Sequence, residues 1–206
     1  MKTSHPQPCP NCKLRYQCVC QYLPRTSAEI NIALVIHQNE LGRDTNTGHW
    51  LGKSFINATT HLWQRTSPCP ELVDLIETGD FEVYLLFPKP SSMNIEMLQA
   101  RQNHDSKKPL FIILDGTWQE VRKMLRQTAW LNNLPAITLT PSNNSVYQLR
   151  RNQSKGNLCT LEVGCQLLTE LGYNEDATQL LDFLNHYTLA FKADKSGHSL
   201  KTNHSL

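Results

Sequence analysis

Leu110-Phe111-Ile112-Ile113-Leu114 runs straight into Asp115-Gly116-Thr117-Trp118, and from Trp118 to Gln127 the residues Val121, Met124 and Leu125 recur along one helical face. An unbroken apolar run of this length reads as a strand buried on both faces, and a helix that begins at once after it makes a β/α unit of a parallel sheet. Arg122, Lys123 and Arg126 fall on the solvent side of that helix. Working outward, Ile30–Ile36 and Val83–Phe87 repeat the buried-strand pattern, and Ala136–Leu139 is a weaker fourth candidate. Leu161–Leu171 is helical and stops before Gly172, while Asp176–Phe191 sets Leu180, Leu181, Leu184 and Tyr187 at helical spacing. The expected class is α/β, a mostly parallel sheet with helices over it.

A chain of 206 residues has room for one well-packed domain and a small appendage. The boundary falls near Arg25, which separates a Cys-rich segment (1–25) from the main domain (26–195) and a polar tail (196–206). The formal net charge of +2 permits a nucleic-acid partner without demanding one, so a local basic patch has to carry that argument. No stretch approaches the roughly 18 to 20 apolar residues of a membrane span, and the first residues are polar and Cys/Pro-rich rather than a signal peptide. The expectation is a soluble, cytoplasmic protein.

Four of the seven cysteines crowd into Cys9-Pro-Asn-Cys12 and Cys18-Val-Cys20. Clustering of this kind supplies the thiolate set of a structural Zn2+ site, which has no open coordination position and so holds a fold without doing chemistry. Unligated thiols in a loose tail are the bland alternative. Lys13, Arg15 and Tyr16 between the cysteine pairs would suit a phosphate backbone, or simply a solvated loop.

Asp115 closes a buried strand just where open α/β sheets place their ligands. A carboxylate there can take a proton or hold an ammonium group, and Gly116 lets backbone approach a ligand. On the residues alone, Thr117 is equally an N-cap and Asp115 a turn former. The same chain also carries, in order, the N-terminal Cys cluster, His37-Gln38-Asn39-Glu40, Arg43-Asp44-Thr45-Asn46-Thr47-Gly48, Asp115-Gly116-Thr117-Trp118, Tyr147-Gln148-Leu149-Arg150 and Thr160-Leu161-Glu162. This series resembles the DTW-domain family, with one departure at Cys159, where that family more often has serine.

The resemblance implies a SPOUT-like sheet with a C-terminal trefoil knot that binds S-adenosylmethionine. It implies transfer of the donor's 3-amino-3-carboxypropyl group to N3 of a tRNA uridine, in bacterial members one of the variable loop. Asp115 is the expected catalytic residue, as proton acceptor or as the group that orients the donor. The donor pocket is expected to draw on Thr47, Gly48, Thr160, Leu161 and Glu162, with Trp118 against the donor. The loops after Phe87 (with Pro88) and after Leu114 (with Gly116 and Thr117) would meet adenosine. Arg43, Arg150 and Arg151 are placed to pair with tRNA phosphates or with the donor carboxylate, and His37 reads equally as structural or functional. Three rival functions stand beside this one: the same transfer to ribosomal RNA, methyl transfer of the usual SPOUT kind, and zinc-bearing RNA binding without catalysis.

Overall fold

The computed structural model describes residues 6–66, 69–140, 145, 147, 149 and 158–200. Five parallel strands form its sheet: β1 (Asn31–Ile36), β2 (Ala58–Leu62), β3 (Phe81–Leu86), β4 (Lys108–Asp115) and β5 (Ala136–Ile137), in the order β2-β1-β4-β3-β5. The central strands β1 and β4 are the ones with the longest apolar runs, and their registers pair Ile36 with Asp115 at the carboxyl end. Strand β2 was not foreseen. Its Ala-Thr-Thr-His-Leu carries only one buried side chain, His61, which is what an edge strand with solvent on one side permits.

Helices α1 (Gly48–Ser54), α3 (Ile95–Arg101), α6 (Thr160–Glu170) and α7 (Asn174–Lys195) cover one face through Trp50, Leu51, Ile95, Leu98, Leu161, Leu168, Leu180 and Leu184. Helices α2 (Pro70–Glu77), α4 (Trp118–Gln127) and α5 (Ala129–Asn133) cover the other through Leu72, Val121, Met124, Leu125 and Leu131. Successive crossovers therefore alternate faces as they alternate direction along the sheet, the pattern that a single handedness of crossover requires. Helix α4 has the bounds expected of it. Within α7, Leu180, Leu184 and Tyr187 are buried and Leu181 is half-buried. No helix among the described residues is long and apolar enough to cross a membrane.

The Cys-rich segment docks on the α1/α6/α7 face, where Cys12, Leu14 and Val19 join the same core as the sheet. Its sulfurs converge: Cys9–Cys20, Cys12–Cys18 and Cys9–Cys18 lie 3.8, 3.9 and 3.6 Å apart. Four thiolates about 2.3 Å from a central tetrahedral ion would stand roughly 3.8 Å from one another, so the cluster has the dimensions of a metal knuckle. Lys13 takes a left-handed backbone (φ 63°) to close that turn. The backbone N–H groups of Cys12 and Asn11 face the Cys9 sulfur and hold its thiol down at about 6.

Polar ties fix the segment to α7. Tyr16 N–H donates to the Asp194 carboxylate at 2.9 Å, and Ser27 N–H, Ser27 Oγ and Ala28 N–H all donate to Asp176 Oδ2 at 2.9, 3.0 and 3.1 Å. Asp176 and Ala28 are both buried, so removing the carboxylate strands a donor away from water. Asp176→Ala is expected to lower the unfolding free energy by about 3 kcal/mol, the scale of a lost charged hydrogen-bond set. Urea denaturation at constant m-value checks it, and an unchanged midpoint would remove Asp176 from the account.

Candidate active site

Strand β1 is followed by a helix on one face and its neighbour β4 by a helix on the other, so the chain parts at their carboxyl ends and leaves a crevice there. Asp115 stands in that crevice, wholly buried. Its carbonyl accepts from His37 N–H at 2.9 Å, which seals the end of the β1/β4 ladder. One carboxylate oxygen accepts from Thr160 Oγ at the start of α6, and the other from Asn46 Nδ2 at 2.6 Å. Gly48 opens α1 directly against this group: a Cβ on Gly48 would lie 2.4 Å from Asp115 Oδ2. Only glycine fits that contact.

From Asp115 the hydrogen bonds continue round a ring. Asn46 Nδ2 also donates to Glu40 Oε2 at 3.0 Å, Arg43 donates to Glu40 Oε1, and Arg43 Nη2 reaches Glu120 Oε1 at 3.2 Å. Glu120 returns to the strand end, accepting from Thr117 N–H at 2.8 Å and Thr117 Oγ at 2.7 Å, while Asn39 Nδ2 donates to its other oxygen at 2.8 Å. The residues on either side of Gly116 are thus joined through the loop 39–46. Thr117 and Glu120 form a capping box that starts α4, a Thr-x-x-Glu spacing that the sequence displays openly.

A second box starts α6. Glu162 accepts from Cys159 N–H at 2.8 Å, Ser145 Oγ at 2.7 Å and Tyr147 N–H at 3.2 Å, and Tyr147 Oη donates to the Thr45 carbonyl at 2.7 Å. Thr47 Oγ accepts from Leu161 N–H at 3.4 Å. Burial pushes the Cys159 thiol well above its ordinary range, so it sits here as a neutral, packed side chain.

The expected site residues do not all come together. Thr47, Gly48, Asp115, Thr160 and Glu162 come together in the buried cage just described. Gly116, Thr117 and Trp118 form the turn above it, and Trp118 faces Phe87 at 6.1 Å between ring centres. Phe87, Pro88 and Trp118 line a pocket of about 460 Å3 together with Arg122, Leu125 and Arg126, a volume suited to a nucleoside-sized ligand. Leu114 and Leu161 belong to the two cores, so their side chains are not offered to a ligand.

Arg43 is engaged by two carboxylates, and Arg150 and Arg151 lie outside the described residues. His37 is buried, stacks on Trp63 at 5.3 Å, and its Nδ1 accepts from Asn39 N–H at 3.3 Å, a structural arrangement. Asn39, Asn46 and Glu120 were not singled out beforehand. Glu120 has a local signal, the capping spacing; the two asparagines stand inside the motif segments of the resemblance, and their roles come from the tertiary contact.

Burial alone would raise the Glu120 pKa, but hydrogen bonds from Asn39 and from the backbone and side chain of Thr117, with the charge of Arg43, outweigh it and hold it down at about 2. A depressed carboxylate contributes stability that is complete above its unfolded value near 4.5 and is lost as pH falls toward 2. Glu120→Gln should therefore flatten the loss of stability between pH 4.5 and 2 in an acid titration followed by circular dichroism. An unaltered acid limb would mean that Glu120 is not held in this way.

The sequence profile of the DTW domain matches residues 6–191. The chain is similar to tRNA-uridine aminocarboxypropyltransferase 2 of Drosophila melanogaster, 25% identical over 180 residues that cover 80% of this chain and 66% of the relative, just under two thirds of its length. No solved structure matches the chain. With the Asp115-Gly116-Thr117-Trp118 turn at the sheet's crevice and the profile extending over nearly the whole chain, the protein belongs to the DTW-domain family.

Proposed function

We propose that this protein transfers the 3-amino-3-carboxypropyl group of S-adenosylmethionine to N3 of a tRNA uridine, one of the variable loop. The observation that carries the reading is the aromatic pocket of Phe87 and Trp118, the latter opening α4 three residues after the buried Asp115. Adenosine lies in that pocket, with its base against the two rings and backbone of the 87–88 and 116–118 turns at its edges. Kinship with a curated uridine aminocarboxypropyltransferase supports the choice of chemistry.

In the transfer, uridine N3 bonds to the donor's Cγ as the Cγ–S bond breaks. The bonding pair stays on sulfur, so the sulfonium becomes neutral methylthioadenosine, and the N3 proton passes to solvent. Three carbons surround the sulfonium, and position alone decides which is attacked. Asp115 serves this positioning. Its carboxylate is closed off by Asn46, Thr160 and Gly48, so it holds the 46–48 loop and the start of α6 at the donor site and does not reach the uridine.

The four cysteines hold a structural Zn2+, which their spacing fits and which fixes the fold of the N-terminal segment that packs on α7. A SPOUT-type fold with a C-terminal trefoil knot is part of the same reading. Support for it comes from kinship with the family, and from the contacts of Tyr147 with Thr45 and of Leu161 with Thr47 at the loop between β1 and α1. The protein works in the cytoplasm, where its tRNA substrate and donor are found.

Mass spectrometry of an unmodified tRNA transcript, incubated with purified protein and S-adenosylmethionine, tests the transfer. Aminocarboxypropyluridine with methylthioadenosine is the expected pair. Methylated RNA with adenosylhomocysteine would make the protein a methyltransferase, and product on ribosomal RNA alone would move the substrate. In the same assay Asp115→Asn should weaken donor binding about tenfold or more, the cost of one misfitted buried polar group, and leave the shape of the pH–rate profile intact. Loss of the acid limb with donor affinity unchanged would make Asp115 the proton acceptor instead. Stripping the metal with a chelator, or Cys12→Ser, should lower the melting temperature and be reversed by Zn2+ only in the first case; a chelator-treated protein with unchanged melting would remove the metal from the fold.

A further inference from the structure

The pocket beside Trp118 has an outer wall that the donor does not explain. Trp118, Arg122 and Arg126 follow one another at four-residue spacing along α4, so all three lie on the helix face that lines the pocket. Both arginines are exposed, and neither pairs with a carboxylate among the described residues. No acidic side chain lines the pocket. Among the described residues, the ring that Glu120 of the same helix joins carries the opposite charge: formally, Asp115, Glu40 and Glu120 stand against the guanidinium of Arg43.

That asymmetry sorts ligands by charge. Negative charge in the ring favours a cationic sulfonium and opposes an approaching polyanion. A nucleic-acid strand needs compensating cations at the mouth, and Arg43 is too firmly engaged to supply them. We propose that Arg122 and Arg126 clamp the RNA phosphates flanking the target uridine, so that the α4 face is the RNA-binding edge of the active site. This rests on the functional reading above for the identity of the RNA. Two guanidiniums one helical turn apart, about 6 Å along the axis, match the step between neighbouring phosphates of a single strand.

The test compares wild type with the double variant Arg122→Gln, Arg126→Gln. A tRNA transcript is titrated by fluorescence anisotropy across a salt series, and S-adenosylmethionine is titrated separately by calorimetry. The expected result is weaker tRNA binding, with the slope of log K against log salt smaller by about 0.7 to 0.9 for each arginine and donor affinity unchanged. Lys108→Gln, at the opposite end of β4, should leave tRNA binding as it was.

Unchanged tRNA affinity and slope would overturn the clamp. So would a loss of donor affinity as large as the loss of tRNA affinity, since the arginines would then hold the donor's carboxylate. Melting temperatures of both variants exclude a folding defect. A wild-type protein that binds tRNA through these arginines but yields no aminocarboxypropyluridine would sink the transfer and leave the clamp standing.

Discussion

A carboxylate wholly removed from water is costly unless hydrogen bonds replace its hydration, and Asp115 is such a group at the end of the central strand. The rest of the site follows from how that cost is offset. Thr160 must come to one oxygen, which fixes the start of α6; Asn46 must come to the other, which fixes the loop after β1; and Gly48 must lack a side chain for α1 to begin there at all. Each partner is held in turn. Asn46 is shared with Glu40, Glu40 with Arg43, and Arg43 with Glu120, whose capping box sets the direction of α4. A partly satisfied network of this kind would be worse than an apolar core, so its members stand or fall as a unit.

How much of this the sequence discloses depends on the range of the interaction. Strands β1, β3 and β4 are legible because buried parallel strands are apolar on both faces, and α4 because its Thr117/Glu120 box and its Val121, Met124, Leu125 stripe are local. Strand β2 and helices α1 to α3 are not, since a polar edge strand and helices of seven or eight residues give a weak periodic signal. At the site, Asp115, Thr47, Gly48 and Thr160 can be picked out by motif, yet nothing local says that the carboxylate would be enclosed. That enclosure arises where segments almost 70 and 45 residues away meet it. Arg43 shows the same limit in reverse: a loop arginine looks free in the sequence, and two carboxylates that fold against it take up its charge.

Sealing the ring also divides the work of the site. The buried members cannot adapt to a ligand without breaking bonds that the fold needs, so they serve as a rigid wall. The adaptable surface is the one left open, formed by Phe87 and Pro88 on one side and Trp118, Arg122 and Arg126 on the other. Groups preorganised in this way cost no rearrangement on binding, and they act most strongly where water is excluded.

The N-terminal cysteines extend that rigidity to the far end of α7. Cys12 and Val19 share the core of α6 and α7, Tyr16 and Leu200 are tied across the junction, and Asp44 of the loop after β1 pairs with Lys195 at the end of α7 while its carbonyl accepts from Tyr187. A metal bound by those four sulfurs would therefore stabilise the helix that supports the 44–48 loop, and through it the partners of Asp115. The path is a chain of packed side chains and hydrogen bonds, each visible as a contact. It makes the cysteine cluster a remote support of the site's geometry, with no part in the chemistry itself.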